Sequence, residues 1–198
     1  DRSPSRGLGD VYKRQVSLNA SVHADDDFSK SKEIAELTDW NIYSPLWAPV
    51  SLDGQWLKLQ DKDPFDYAKV ERKIPASKEL KVSFDLQAGQ NDKGTLQIEF
   101  LDENGIACSR MELTDDGVFR LKGGSRFANM MKYEAGKVYH VEAVLSTADR
   151  NIQVYVDGRR VGLRMFYAPV AAVERIVFRT GIPLSLIHIS EPTRRTPI

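Results

Sequence analysis

Residues 81–124 read KVSFDLQAGQNDKGTLQIEFLDENGIACSRMELTDDGVFRLKGG, and the fold class follows from their alternation. In KVSFDLQ, Val82, Phe84 and Leu86 alternate with Ser83, Asp85 and Gln87; in TLQIEFL, Leu96, Ile98 and Phe100 alternate with Gln97 and Glu99. A period of two with one apolar face marks a half-buried antiparallel strand. Asn104-Gly105 then predicts a hairpin in which both turn residues take positive φ. Asp116-Gly117 predicts a second turn, into VFRLKG. Four short strands in a row result, with no catalytic constellation among them.

The two ends of the chain read differently. Ser5–Gln15, SRGLGDVYKRQ, and Leu184–Arg194, LSLIHISEPTR, resemble translations of one sequencing-library adapter, the first in one sense and the second in its reverse complement. Residues 1–15 and 184–198 are therefore expected to be adapter-derived, as in a metagenomic fragment, and stand outside the fold reading. His188 and the apolar run Leu184–Ile189 carry no functional meaning on that reading. Residues 16–24 are then a linker or the end of a signal peptide, with Ser21-Val22-His23-Ala24 supplying small residues before a cut. The domain proper is expected to run from 25 to 183.

Charge and cysteine content exclude several classes. The chain has 28 basic and 28 acidic residues; leaving out the two ends gives 22 and 25, a net of −3. Neither nucleic acid nor an anionic membrane is suggested by that balance. No run is long and apolar enough to insert into a bilayer. Cys108 is the single cysteine, so an internal disulfide and a cysteine metal cluster are both excluded. Alternation places Cys108 with Arg110 and Glu112 as a filler thiol.

Outward from the central run the pattern continues. Ser29–Thr38 is a weakly helical or irregular lead-in. WNIYSPLWAPV, with Pro45 and Pro49, suits an edge strand or packed loop. QWLKLQ and YAKVERKI are strands, the second ended by Pro75. Arg126–Met131, KVYHVEAVLS, NIQVYVD, RRVGLRMFYA and ERIVFRT follow, with Asp157-Gly158 as another hairpin turn. Ten or eleven short strands at regular spacing predict an all-β antiparallel sandwich.

The order of elements resembles the concanavalin A-like, or laminin G-like, jelly roll. The resemblance is carried by DDDF, KVSFDLQ, GTLQIEFLDENG and above all YEAGKVYHVEAVLSTADRNIQVYVDGRRV, and covers most of 25–181. WNIYSPLWAPV, LKLQDKDPFDYAKVERKIP and VERIVFRTG resemble sandwich modules attached to bacterial BNR-repeat (sialidase-like) and polysaccharide-degrading proteins. That likeness implies a non-catalytic carbohydrate-binding or accessory module, working with other domains of a larger chain in an extracellular or periplasmic setting. The alternative is a structural module that docks against neighbouring domains through WNIYSPLWAPV.

Candidate ligand contacts are Trp47, Arg110, Glu112, His140 and Tyr155. A tryptophan ring between prolines can stack on the apolar face of a sugar, while Trp40 and Trp56 are expected to plug the core. If their strands are neighbours, Gln97, Glu99, Arg110, Glu112, His140, Glu142, Gln153 and Tyr155 form one polar face. Arg110 would there fork onto a uronate or sulfate, or pair with Glu99 or Glu112 across strands. Ser109–Leu113 also echoes the Arg-x-Glu-Leu motif of jelly-roll alginate lyases, with His140 or Tyr139 as base and Arg110 as neutraliser. Against a polysaccharide lyase or glycoside hydrolase, the motif order is reversed and Glu99 stands where a histidine belongs. No cofactor is expected beyond a structural Ca²⁺ near Asp25-Asp26-Asp27, the resemblance implying such a site close to the lead-in.

Overall fold

The structure, a computed structural model, describes residues 26–62, 65–181 and 186–190. Among the described residues the antiparallel sandwich is all-β apart from two single-turn 3₁₀ helices, Phe28–Lys30 and Ile34–Glu36, which make up the weakly helical lead-in. The strands are β1 (Trp40–Tyr43), β2 (Val50–Asp53), β3 (Trp56–Gln60), β4 (Lys69–Ser77), β5 (Glu79–Ala88), β6 (Thr95–Leu101) and β7 (Ala107–Leu113). They continue with β8 (Val118–Gly123), β9 (Arg126–Lys132), β10 (Val138–Ser146), β11 (Asn151–Val156), β12 (Arg159–Met165), β13 (Val173–Gly181) and β14 (Leu186–Ser190). Sheet I has the order β1-β4-β13-β6-β7-β8-β9, and sheet II β12-β11-β10-β5-β14-β3-β2.

The opening stretch spans both sheets. β5 lies inside sheet II, whereas β6, β7 and β8 run as a meander through sheet I. Val82, Phe84 and Leu86 from one side meet Leu96, Ile98 and Phe100 from the other, all essentially dehydrated. Phe84 sets its edge against Phe178 of β13 with ring centroids 5.1 Å apart, and Trp40 joins Phe178 to Phe28. Edge-to-face rings and complete burial each favour this packing, at about 1.5–3 kcal/mol for burying one such side chain.

Several local expectations change. At the β6–β7 turn only Gly105 takes positive φ, at 82°. Asp102 Oδ1 accepts from the backbone N–H groups of Asn104 and Ile106, which holds a longer turn than the two-residue form. The β11–β12 turn is the one where both residues are left-handed, Asp157 at 50° and Gly158 at 78°. Pro75 does not end β4, which continues to Ser77. It lies where the pairing of β4 with β13 shifts register, so its missing N–H costs no ladder bond. Trp56 is half-buried on the outward side of β3 instead of plugging the core.

Leu186–Ser190, placed outside the domain by the sequence reading, forms the strand between β3 and β5. Ile189 is buried opposite Leu57 and Leu86. Without a strand in this position two facing sheet edges lack partners, and an alternating apolar segment satisfies both. Residues 1–24 lie outside the described residues.

Where the sandwich rims meet, β12 closes over β8 and β9, and Gly162 permits the approach. A Cβ there would lie 2.6 Å from Met130 Sδ.

Candidate functional site

The outer face of sheet I is laced with charge. Arg110 lies directly opposite Glu99, and its Nε donates to Glu99 Oε1 at 2.7 Å. Glu112, almost fully buried, pairs with Arg120, whose guanidinium also covers the Phe127 ring at 4.3 Å. The expected cross-strand pair of Arg110 is thus formed, with Glu99. Lys122 Nζ sits 4.4 Å above the ring of Tyr167, a residue of the β12–β13 connection. Burial pushes the Tyr167 phenol up to about 12, against the opposing effect of Arg110. Cys108 is fully buried, and its thiol is likewise pushed up to about 12 by burial. It is a packed, unreactive group.

His140 and Tyr155 are on the opposite side of the molecule. On the outer face of sheet II, His140 Nδ1 meets Asp85 Oδ1 at 2.8 Å, Lys81 pairs with Glu142, and the Tyr155 hydroxyl donates to Gln153. The expectation of one continuous polar face is overturned. β6 and β7 belong to sheet I while β10 and β11 belong to sheet II, so the two sets of outward residues point away from each other. Alternation separates inside from outside but does not say which sheet a strand joins.

Trp47 is 63% exposed on the β1–β2 loop, beside Leu46 at 82%. The Trp47 carbonyl accepts from Lys62 N–H, which holds this loop against the segment leading to Phe65, 93% exposed. Leu46 and Trp47 thus form an exposed apolar pair on this loop.

The sequence reading missed a cleft of about 510 Å³ at the opposite rim, between β9 and the β10–β12 meander. Met130, Met131, Tyr139 and Val161 contribute its apolar surface, and Lys137, Asp157, Arg159 and Arg160 its polar surface. Its shape has local causes. Asp157-Gly158 turns the hairpin tightly, and the pairing of β11 with β12 then slips. Val154 faces Gly162 but Tyr155 faces Arg160, which leaves Val161 as an extra residue. The extra residue at Val161 re-aims the side chains next to it; Arg159, Arg160 and Val161 all border the cavity. Lys137 Nζ lies 5.0 Å over the Tyr139 ring. The signal available in the sequence is the basic pair Arg159-Arg160 directly after the Asp157-Gly158 turn.

A family profile described as "Sialidase-like, CBM domain" matches residues 40–197. The chain belongs to this carbohydrate-binding family. A solved chain described as a sialidase is 73% identical, with a TM-score of 0.85, over 89% of this chain and 18% of that one. The module thus spans under a fifth of that sialidase's length. The Emp47p carbohydrate recognition domain matches at 11% identity and TM-score 0.66, over 91% of this chain and 99% of its own. The apo Crh5 transglycosylase matches at 10% identity and TM-score 0.71, over 91% and 86%. At such identities the last two show the jelly-roll fold alone. No curated protein matches the chain.

Within this CBM-family module the lyase constellation is not assembled. His140 and Arg110 stand on opposite outer faces, and no groove can hold one substrate between them. Tyr139 points inward, with its hydroxyl accepting from Glu134 N–H. The aspartates at the lead-in do not fit a calcium site either. Asp26 takes the Arg72 guanidinium at 2.7 Å, and Asp27 caps the first 3₁₀ turn through Ser29 N–H. Both carboxylates are occupied, and Asp25 lies outside the described residues.

Proposed function

We propose that this chain is the non-catalytic glycan-binding module of a longer sialidase-like protein in an extracellular or periplasmic setting, and that the cleft between β9 and the β10–β12 meander holds the sugar. Family membership supports the glycan-binding role. The cleft supports the placement of the sugar: it is concave, and its apolar floor meets hydrogen-bonding groups at the lip, as sugar sites require. The domain comprises 25–183, completed by one strand in the slot between β3 and β5; the adapter likeness of 184–198 is retained in this reading, since the slot selects for alternation and not for one sequence.

Affinity electrophoresis of the full chain against a panel of neutral and acidic polysaccharides tests the function. Retardation by one or two polymers is the expected result. Arg110→Ala and Trp47→Ala belong in the same gel as tests of the contacts read from sequence. Loss of retardation in either would move the site out of the cleft.

A second reading, inter-domain docking, is favoured by Leu46 and Trp47, two large apolar side chains exposed side by side on the β1–β2 loop. It predicts concentration-dependent association that Trp47→Ser abolishes, seen by sedimentation velocity, and no retardation by any polymer.

A further inference from the structure

Among the described residues the two sheets have four edge strands, β1 and β9 of sheet I and β2 and β12 of sheet II. An open edge invites pairing with another segment unless charge or cover protects it. Three of the four carry charge: Arg126 and Lys132 on β9, Arg159, Arg160 and Arg164 on β12, and Asp53 on β2. β1, Trp40-Asn41-Ile42-Tyr43, has none. Its ladder with β4 fixes which groups lie open. Lys73 N–H donates to the Asp39 carbonyl, so Asn41 and Tyr43 are the positions that exchange bonds with β4. The N–H and C=O of Ile42 then point to the side where sheet I has no further strand among the described residues. That side is concave and apolar. A groove of about 420 Å³ runs along β1, bordered by Ile34, Leu37, Trp40 and Ile42, and none of its lining residues is charged. The Trp40 indole N–H beside it is buried with no hydrogen-bond partner among the described residues. A segment that brings backbone carbonyls into the groove would satisfy such a donor.

We infer that residues 16–24 of this chain add to the open edge of β1 as an outer strand. Read alone, that stretch is a linker or the end of a signal peptide, yet its sequence, Val-Ser-Leu-Asn-Ala-Ser-Val-His-Ala, alternates strictly. Val16, Leu18, Ala20, Val22 and Ala24 fall on one side, and Ser17, Asn19, Ser21 and His23 on the other, the period of a half-buried strand. The first set covers Ile42 and Leu37 in the groove, while the second continues the exposed side of β1 formed by Asn41 and Tyr43. The segment contains no Asp, Glu, Lys or Arg, which suits an uncharged lining. Its reach is sufficient. Asp26 pairs with Arg72, and Arg72 lies directly opposite Trp40, so the chain enters beside β1. Nine extended residues span roughly 30 Å, more than a four-residue edge needs.

Amide hydrogen exchange of the full chain, read residue by residue by NMR, tests the inference. Alternate amides of 16–24, together with that of Ile42, should exchange about 100-fold more slowly than in a free peptide. Leu18→Asp and Val22→Asp, on the apolar side, should each abolish that protection while the amides of β5, β6 and β10 keep theirs. Asn19→Asp and Ser21→Asp, on the polar side, should leave it unchanged. Free-peptide rates throughout 16–24 would overturn the inference. So would protection lost equally to aspartate on both sides, or kept in all four variants, because neither pattern follows the groove. Protection of Ile42 that falls on dilution while 16–24 exchanges freely would overturn it in favour of a second copy of the chain on the edge. None of these outcomes bears on retardation by polysaccharides, so the glycan-binding reading stands or falls separately.

Discussion

The outer sheet faces and the rim cleft use arginine in opposite ways. On sheet I, Arg110 and Arg120 are bound to Glu99 and Glu112 from neighbouring strands, so their charge contributes to holding the sheet together. At the rim, Arg159 and Arg160 are exposed and have no ion-pair partner among the described residues, so no comparable cross-strand pair ties them to the fold. A charge already neutralised by its neighbour must lose that partner before it can take a ligand. Spare charge around a concave apolar floor carries no such cost. The contrast separates residues that stabilise from residues free to bind, and it can be broken by measuring stability and affinity on the same variants.

The largest effect concerns backbone partners. Removing residues 184–198 leaves the facing edges of β3 and β5 unpaired, because Leu186–Ser190 bridges them. The expected outcome is loss of a cooperative melting transition, or association through the open edges. A different five-residue alternating apolar segment in the same place should restore the transition. An unchanged melt of the shortened chain would show that the slot does not need its strand.

Arg72 gives the next effect. It is buried, pairing with Asp26 at 2.7 Å and Asp39 at 3.3 Å, and it ties the lead-in to β4. Arg72→Ala leaves the poorly solvated Asp26 without a partner and should cost about 3 kcal/mol in denaturant unfolding. A cost below about 0.5 kcal/mol would place this clamp with ordinary surface pairs.

The paired face and the cleft are compared directly by Arg110→Ala and Arg160→Gln. The first removes the partner of Glu99 on a half-buried face, for an expected loss of about 1–2 kcal/mol after allowing for solvent screening. The second should stay within about 0.5 kcal/mol of the parent. Equal losses in urea unfolding would erase the distinction drawn above.

At neutral pH Cys108 gives the smallest effect. Its folded thiol is held up to about 12, against 9.0 in the unfolded chain. The folded state therefore keeps the proton that the unfolded state releases. The associated stabilisation is complete below pH about 9 and is lost as pH rises towards 12. Melting temperature should fall over that alkaline window, with a shallower fall in Cys108→Ala. Alkylation of the native protein at pH 8 should be negligible and should become complete in denaturant.

Much of the fold was legible because in-and-out alternation is a local property. Val82, Phe84 and Leu86, or Tyr139, Val141, Ala143 and Leu145, need only their own spacing to mark their buried side, and each is buried as read. The candidate site was less legible. Arg110 and His140 carry the same outward signature, yet they end on opposite surfaces. Arg159 and Arg160 carry only the signature of residues that follow a turn, and nothing in the local sequence marks that β12 comes beside β9 and borders a cavity there.

By itself, then, the sequence determined the all-β class, most of the strands, most of the buried residues and the impossibility of an internal disulfide. Each depends on residue identity at short range or on a simple count. Only the tertiary structure decided which strands share a sheet, that Glu99 and not Glu112 takes Arg110, that a strand from residues 186–190 completes sheet II, and that a cleft opens at the rim. Those outcomes depend on pairings between segments far apart in the chain, where many registers satisfy the same alternation and packing selects one.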